Sequence, residues 1–518
     1  MRHAGTVRRA SGLRRALPAL PALLLCAATA CGTTLQVAPG RVGPSTGAAS
    51  EQGLSLPPTV AAPAATTSSQ SAATGSRGSV APGGGELTAP TSATTSAQAS
   101  TPGAPSRTSG STGPTVSSGP AAGSPVTIGF FVAKDLGQAF KSLGYSGLST
   151  GDGAQEVRAA VKLVNSMGGL AGHPIKPVIV ETSVSTSGVS DTTFQQTCST
   201  WFDDNHATAA VTVEYSTILG SCAQQHQAPL IYASLSDSLS QPMLHTAGTT
   251  VITDMPTIEV DAAALTDSLL HHGFFSGSGL IGKPVIGLVT SDEPAYADAK
   301  AIVTKHLTAA GLSLKDTFAM PQAGDVTAAV AAGESAALRF KADGINRVIF
   351  VSGSFGASWF GVAARLDAYY PRLGWGSMEE PSLEPQVMSA QQLQGAAGIG
   401  WDPTLDTTPQ YQPTLGTHGA ACAKALHDDG IDMSVAATRV VALPVCDATL
   451  LLAAGAASGG ITGPDLLSGI EGLGTSYSSV MNFATDFRSR AATAAARPIA
   501  YSSGCGCFRY AGPTEPLK

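Results

Sequence analysis

The sequence predicts a doubly wound α/β protein, and three observations predict it. Short apolar runs rich in β-branched residues recur from residue 126 onward. Stretches of helical length lie between them, so strand and helix alternate along the chain. The strand-like runs are apolar almost without interruption, the mark of strands covered on both faces, as in parallel sheets.

The elements follow in order. A first strand is expected at 126–132 (Val-Thr-Ile-Gly-Phe-Phe-Val), then a helix over 152–167. In that helix Val157, Val161 and Val164 recur at helical spacing, with Ala160 and Leu163 filling the stripe. Gly168-Gly169 stops it, because a left-handed cap suits glycine. Further strands are expected at 175–181, 209–214, 229–233, 284–290 and 347–352. The helices between and after them are expected at 192–204, 257–272, 296–310, 326–342 and 357–368. Beyond Trp401 the pattern turns helix-rich (411–429, 441–458, 463–473) and closes on a β-like ending at 498–510.

Residues 1–30 read differently. Arg2, Arg8, Arg9, Arg14 and Arg15 precede an apolar run at 17–28 and small residues, the layout of a secretory signal. The apolar run is too short to span a bilayer. Ala28-Thr-Ala-Cys31 resembles the lipobox of bacterial lipoproteins, which implies that Cys31 becomes a lipidated N-terminus; cleavage after Ala30 to release a free secreted protein is the alternative. Residues 31–125 are mostly Ser, Thr, Ala, Gly and Pro, and after Cys31 they contain no aromatic residue and no lysine. Such a segment cannot bury enough apolar surface to offset its ordering entropy, so a disordered tether is expected.

Charge and cysteine content exclude several function classes. Without the five signal arginines, 24 basic side chains remain against 36 acidic, a net of about −12, and no basic run stands out to neutralise phosphates. A nucleic-acid partner is not expected. Cys198, Cys222, Cys422, Cys446, Cys505 and Cys507 form an even set in an exported chain, which favours disulfides over metal. Local spacing favours Cys198–Cys222 and Cys422–Cys446. Cys505-Gly506-Cys507 is left open, since a bridge across one residue is expected to be strained. No C-x-x-C or H-E-x-x-H occurs, so neither a metal nor a cofactor is expected. Gly147-Leu-Ser149-Thr-Gly151 has the letters of a nucleophile elbow but follows a polar loop, where that motif needs a strand. Gly277-Ser-Gly-Leu-Ile-Gly282-Lys283 nearly spells a phosphate loop but precedes its strand, and Pro284 stands where a metal-binding hydroxyl belongs. An enzyme is not expected.

Several motifs carry a family resemblance. Val126-Thr-Ile-Gly-Phe-Phe-Val132, Gly153-Ala-Gln-Glu-Val-Arg-Ala-Ala160, Val164-Asn-Ser-Met-Gly-Gly-Leu170 and Gly172-His-Pro-Ile-Lys176 resemble the opening of branched-chain amino-acid binding lipoproteins, type I periplasmic-binding-fold receptors of ABC importers. Val285-Ile-Gly-Leu-Val-Thr-Ser-Asp-Glu-Pro-Ala-Tyr296 is similar to the start of that family's second lobe. Cys446-Asp-Ala-Thr-Leu-Leu-Leu-Ala453 is similar to its late helix. The resemblance implies two α/β lobes joined by three crossovers near 246–253, 395–402 and 483–490. Lobe one is then expected at 126–249 and 402–477, and lobe two at 250–401 and 478–518.

The same resemblance implies a site. Tyr215, Ser216 and Thr217 after the third strand, with Ser234 and Ser236 after the fourth, stand where a ligand carboxylate is held. Tyr296 matches a lobe-two tyrosine that covers the ligand, and Glu379 lies near the acid that holds its ammonium group. Each has a plainer reading: loop serines mostly satisfy turns, and a tyrosine at a helix start often only packs. Phe355, Trp359 and Trp375 fit the core better than the cleft. Two departures stand out: the loop after the second strand (Glu181-Thr-Ser-Val-Ser) lacks paired acids, and the segment 134–151 is longer than usual. The expected protein is a monomeric extracytoplasmic lipoprotein on the outer face of a bacterial membrane. It takes a small polar ligand, such as an amino acid or analogue, to an ABC permease. The alternative is a ligand-sensing or cell-envelope interaction protein of the same fold without transport.

Overall fold

The computed structural model describes residues 120–517, apart from 136, 139–140, 142–151, 184–188, 234–237, 249, 277–281, 322–325, 354–355 and 414. The expected signal at 1–30, Cys31 and the tether as far as residue 119 lie outside the described residues. So do Ser234, Ser236, Phe355, the 147–151 elbow motif and most of the 134–151 segment.

The first lobe is built on β1 (Val126–Lys134), buried along nearly its whole length because sheet neighbours flank it and helices cover both faces. β2 (Ile175–Ser183) and β3 (Ala209–Thr212) pair with it in parallel, and β4 (Leu230–Tyr232) and β5 (Val251–Thr253) extend the sheet in the order β2-β1-β3-β4-β5. Successive side chains point to opposite faces. Ile128, Phe130 and Val132 therefore join a core with α1 (Gly153–Ser166), α11 (Thr417–Asp428), α12 (Ala436–Ser458) and α13 (Gly463–Leu473). Phe131 joins the other face, with α2 (Asp191–Cys198) and α3 (Thr217–Gln225). α4 (Gln241–Thr246) adds Leu244 to that face.

The second sheet holds β6 (Ile286–Ser291), β7 (Leu314–Met320), β8 (Arg347–Val351), β9 (Arg372–Trp375) and β10 (Ala397–Gly400), all parallel, then antiparallel β11 (Ala495–Ser502) and β12 (Cys507–Tyr510). Its order is β12-β11-β10-β9-β8-β6-β7, and β13 (Glu515–Pro516) pairs with β11. Its helices are α5 (Ile258–His271), α6 (Ala299–Ala309), α7 (Val326–Ala342), α8 (Gly356–Leu366) and the short α9 (Ala390–Leu393) and α10 (Pro403–Asp406). The chain passes between the two sheets after β5, after β10, and between α13 and β11. That is three crossings.

Several elements depart from expectation. The first sheet takes in Val251–Thr253, which sequence reading gave to the second lobe; its three residues are too short for a hydrophobic period to show. β9 and β10 went unread because glycine interrupts both, and glycine is required there: a Cβ on Gly398 would stand 1.7 Å from the Trp375 carbonyl oxygen. β7 is a partly exposed edge strand with Lys315, Asp316 and Thr317 in succession, so it lacks the continuous apolar run that marked the others. The helix expected at 192–204 is α-helical only to Cys198 and widens into a π-helical turn over Ser199–Asp204. The one expected at 411–429 starts at Thr417, after Pro413 breaks the chain.

α12 is long and apolar enough to cross a membrane, yet 83% of its most apolar stretch is buried inside the protein, as befits the core helix of lobe one. Bridges join Cys198 to Cys222 and Cys422 to Cys446, with Cα atoms 6.1 and 5.9 Å apart. A third joins Cys505 to Cys507 with a Cα separation of 5.2 Å. Strain was expected there, but this spacing lies within the ordinary disulfide range.

Candidate functional site

Open parallel sheets gather loops and helix N-termini at the carboxyl ends of their strands. In lobe one β3 ends at Thr212, and Val213–Ser216 lead into α3. Ser216 caps that helix: its hydroxyl oxygen accepts from the Leu219 amide at 3.1 Å, which leaves its own proton free to donate. Thr217, the first helical residue, is exposed. Tyr215 folds back instead. Its ring meets Tyr232 edge-on at 5.8 Å, and its hydroxyl lies over Gly220, where a Cβ would stand 2.8 Å from it. Burial pushes its phenol up to about 12, against a small opposing pull from Arg490. The structure thus places Ser216 and Thr217 at an open helix start and packs Tyr215 beneath it.

In lobe two β6 ends at Ser291, whose hydroxyl oxygen accepts from the Glu293 amide at 3.1 Å. A 3-10 turn, Pro294–Tyr296, follows, and Tyr296 is buried among Leu288, Val351, Met378 and Trp401. Glu379 is also fully buried. Its two carboxylate oxygens accept from the amides of Ser352 (3.0 Å) and Gly376 (2.9 Å), pinning the end of β8 to the end of β9. Burial, then the charge of Asp261, raises its carboxyl well above the usual range, with the amide hydrogen bonds opposing. In this state Tyr296 and Glu379 hold lobe-two loops from within. Trp375 lies in the core, and Trp359 packs against it.

Acidic groups that sequence reading did not single out gather around the crossings. Asp254 follows β5. Its backbone carbonyl accepts from Asn482 Nδ2 at 2.8 Å, and its Oδ2 lies 3.4 Å from Ser479 Oγ. Ser479 Oγ also lies 2.6 Å from Asp447 Oδ2, while Tyr477 OH (2.8 Å) and the Val480 amide (3.2 Å) donate to Asp447 Oδ1. A hydroxyl carries one proton, so Ser479 donates to one carboxylate only. The shorter contact assigns that proton to Asp447. Asp254 must then carry a proton of its own to make its contact attractive. Burial and the charges of Asp447 and Asp402 raise Asp254 well above the usual carboxylate range, which agrees.

A second cluster ties β10 to its neighbours. Ser377 Oγ donates to Asp406 Oδ1 (2.6 Å) and accepts from the Trp401 amide (2.8 Å), Tyr510 OH donates to Asp406 Oδ2 (2.9 Å), and Trp401 Nε1 donates to Asp261 Oδ1 (2.7 Å). One signal was legible in advance: Asp447 interrupts an otherwise apolar run, and a lone buried acid in such a run needs hydrogen-bond partners. Cys198, Cys222 and His226 offer atoms close enough for a metal, but both sulfurs are committed to the disulfide.

A family model described as "Periplasmic binding protein" matches residues 136–501. No curated protein matches the sequence. Among solved structures, an ABC transporter substrate-binding protein from Aeropyrum pernix superposes with a TM-score of 0.57 at 14% identity, covering 76% of this chain and 97% of that one. One from Desulfitobacterium hafniense in complex with Leu gives 0.52 at 17% identity, covering 74% and 99%. A Rhodopseudomonas palustris solute-binding protein in complex with 4-hydroxybenzoate gives 0.55 at 12% identity, covering 76% and 98%. At these identities the likeness is one of fold.

Proposed function

We propose that this chain, which belongs to the periplasmic binding protein family, captures a small solute between its lobes and delivers it to an ABC permease. The supporting observation is architectural: two doubly wound sheets linked by three crossings put two sets of strand-end loops on two separate sheets. Binding free energy released on contact with both sets favours a closed state, and that state is what a permease recognises.

The ligand in this reading carries a carboxylate. Ser216 and Thr217 present a hydroxyl proton and the N-terminal amides of α3, a nine-residue helix whose dipole favours an anion. Ser234 and Ser236 belong to the same proposed set, with Tyr215 buttressing the helix start. Tyr296 and Glu379 would enter the site only by leaving their present packing. Amino acids and small aromatic acids both satisfy the carboxylate requirement, and solved relatives hold leucine and 4-hydroxybenzoate. The chain would be exported by residues 1–30 and anchored through lipid on Cys31.

A thermal-shift screen with amino acids, their amides, short aliphatic acids and aromatic acids tests the reading, because a ligand that binds only the folded state raises the melting temperature. Free carboxylates are expected to raise it and the matching amides to fail. A set of hits indifferent to the carboxylate would overturn the assignment of Ser216 and Thr217.

A further inference from the structure

The third disulfide differs from the other two in place and in what it closes. Cys505-Gly506-Cys507 sits at the turn of the β11–β12 hairpin, on the edge of the second sheet. Cys505 is half-exposed, with Ser503, Gly504 and Gly506 exposed around it. Cys422 and Cys446 are fully buried in the lobe-one core and Cys222 nearly so, while Cys198 is half-exposed like Cys505, so the length of the closed loop is what separates the third bridge from the first. The bridges at 198–222 and 422–446 span 24 residues, whereas this one spans two.

Three consequences follow from ordinary disulfide chemistry. A cross-link constrains the unfolded chain more the longer the loop it closes, so a separation of two adds little to folding. The hairpin does not depend on it. The pairs Ile499↔Tyr510, Ala500↔Arg509, Tyr501↔Phe508 and Ser502↔Cys507 hold the strands, the Gly506 amide donates to the Ser502 carbonyl at 2.9 Å, and Phe508 is anchored in the core. Finally, exchange needs a cysteine that an incoming thiolate can reach, and of this pair Cys505 is half-exposed whereas Cys507 is buried.

We propose that Cys505–Cys507 is a redox site, a disulfide that exchanges with external thiols while the protein stays folded. A thiolate of a small thiol or dithiol attacks Cys505 Sγ, the Sγ–Sγ bond breaks, and the Cys507 thiolate leaves and takes up a proton. A second small-molecule thiolate then attacks the small molecule's sulfur in the mixed disulfide, the bond to Cys505 Sγ breaks, and the Cys505 thiolate leaves and takes up a proton. The balance is one protein disulfide plus two thiols giving one protein dithiol plus one small-molecule disulfide. Oxidised glutathione reverses it.

The test is timed reduction of the folded full chain with dithiothreitol, quenching with iodoacetamide and mapping of the alkylated peptides. Cys505 and Cys507 are expected to become alkylated at least about tenfold faster than Cys198, Cys222, Cys422 or Cys446, with near-UV circular dichroism unchanged. Oxidised glutathione is then expected to restore the bridge. Reduction at the same rate as the other pairs, or only with loss of the near-UV signal, overturns the proposal. The doubly substituted Cys505→Ser/Cys507→Ser protein is expected to fold and to lose the fast phase alone. A fast phase that survives in it contradicts the assignment.

Discussion

Glu156 shows how one side chain couples this fold to pH. It stands in the first turn of α1, fully enclosed, and neither carboxylate oxygen has a hydrogen-bond partner among the described residues. Burial, helped by the nearby charge of Asp152, raises its carboxyl from 4.5 to about 8. A raised folded value means that the folded state holds a proton the unfolded chain gives up. The stabilising contribution is therefore complete below the unfolded value and is lost as pH rises toward the folded one. The slope is about 1.4 kcal/mol per pH unit for one group. Urea unfolding of Glu156→Gln is expected to show a gain relative to wild type that grows from pH 5 to pH 8 and then levels off. A difference that does not change with pH contradicts the account. Glu384, also raised to about 8 by burial, contributes to the parent curve, so the difference between the two proteins is the quantity to read.

At the scale of elements, α12 and α13 lie close because glycine permits it. A Cβ on Gly469 would stand 2.0 Å from the Gly455 carbonyl oxygen, and one on Gly455 would stand 2.5 Å from Ile470. Gly469→Ala is thus expected to cost about 1–3 kcal/mol through overpacking, read from the urea midpoint. Unchanged stability would mean that the helices can part freely. The Cys422–Cys446 bridge ties α11 to α12 over a separation of 24 residues, and its removal by paired alanines is expected to cost about 3 kcal/mol. Peptide mapping without reduction checks the pairing first, and free thiols at 422 and 446 would refute it.

Elements also show what the sequence made legible. β1, β6 and β8 are readable because each carries a nearly continuous apolar run, and α1, α7 and α13 because their periodicity ends at clear stops. β5, β9 and β10 are not, since three or four residues, often glycine, carry no period and exist only through their sheet neighbours. The site was legible in part. The cap at Ser216 follows from a hydroxyl residue just before a helix. The enclosure of Glu379 within lobe two, and the sharing of Ser479 between Asp254 and Asp447 at the crossings, depend on segments more than 20 residues apart meeting in the fold.

For the whole molecule, the proposed export and anchoring would rest on the first 31 residues. Cys31→Ala is expected to abolish incorporation of radiolabelled fatty acid and to release the protein into the medium with its melting temperature unchanged. Equal labelling of both proteins would refute the anchor. Capture between the lobes makes a stronger demand, because one small molecule must reach loops on two separate sheets. Hydrogen exchange read by mass spectrometry, with and without a ligand from the thermal screen, tests this most directly. Peptides covering 213–219 in lobe one and 291–296 in lobe two are both expected to slow on ligand addition, while those covering the outer helices α7 and α11 keep their rates. Protection confined to one lobe, or spread evenly over the chain, would contradict capture in the cleft.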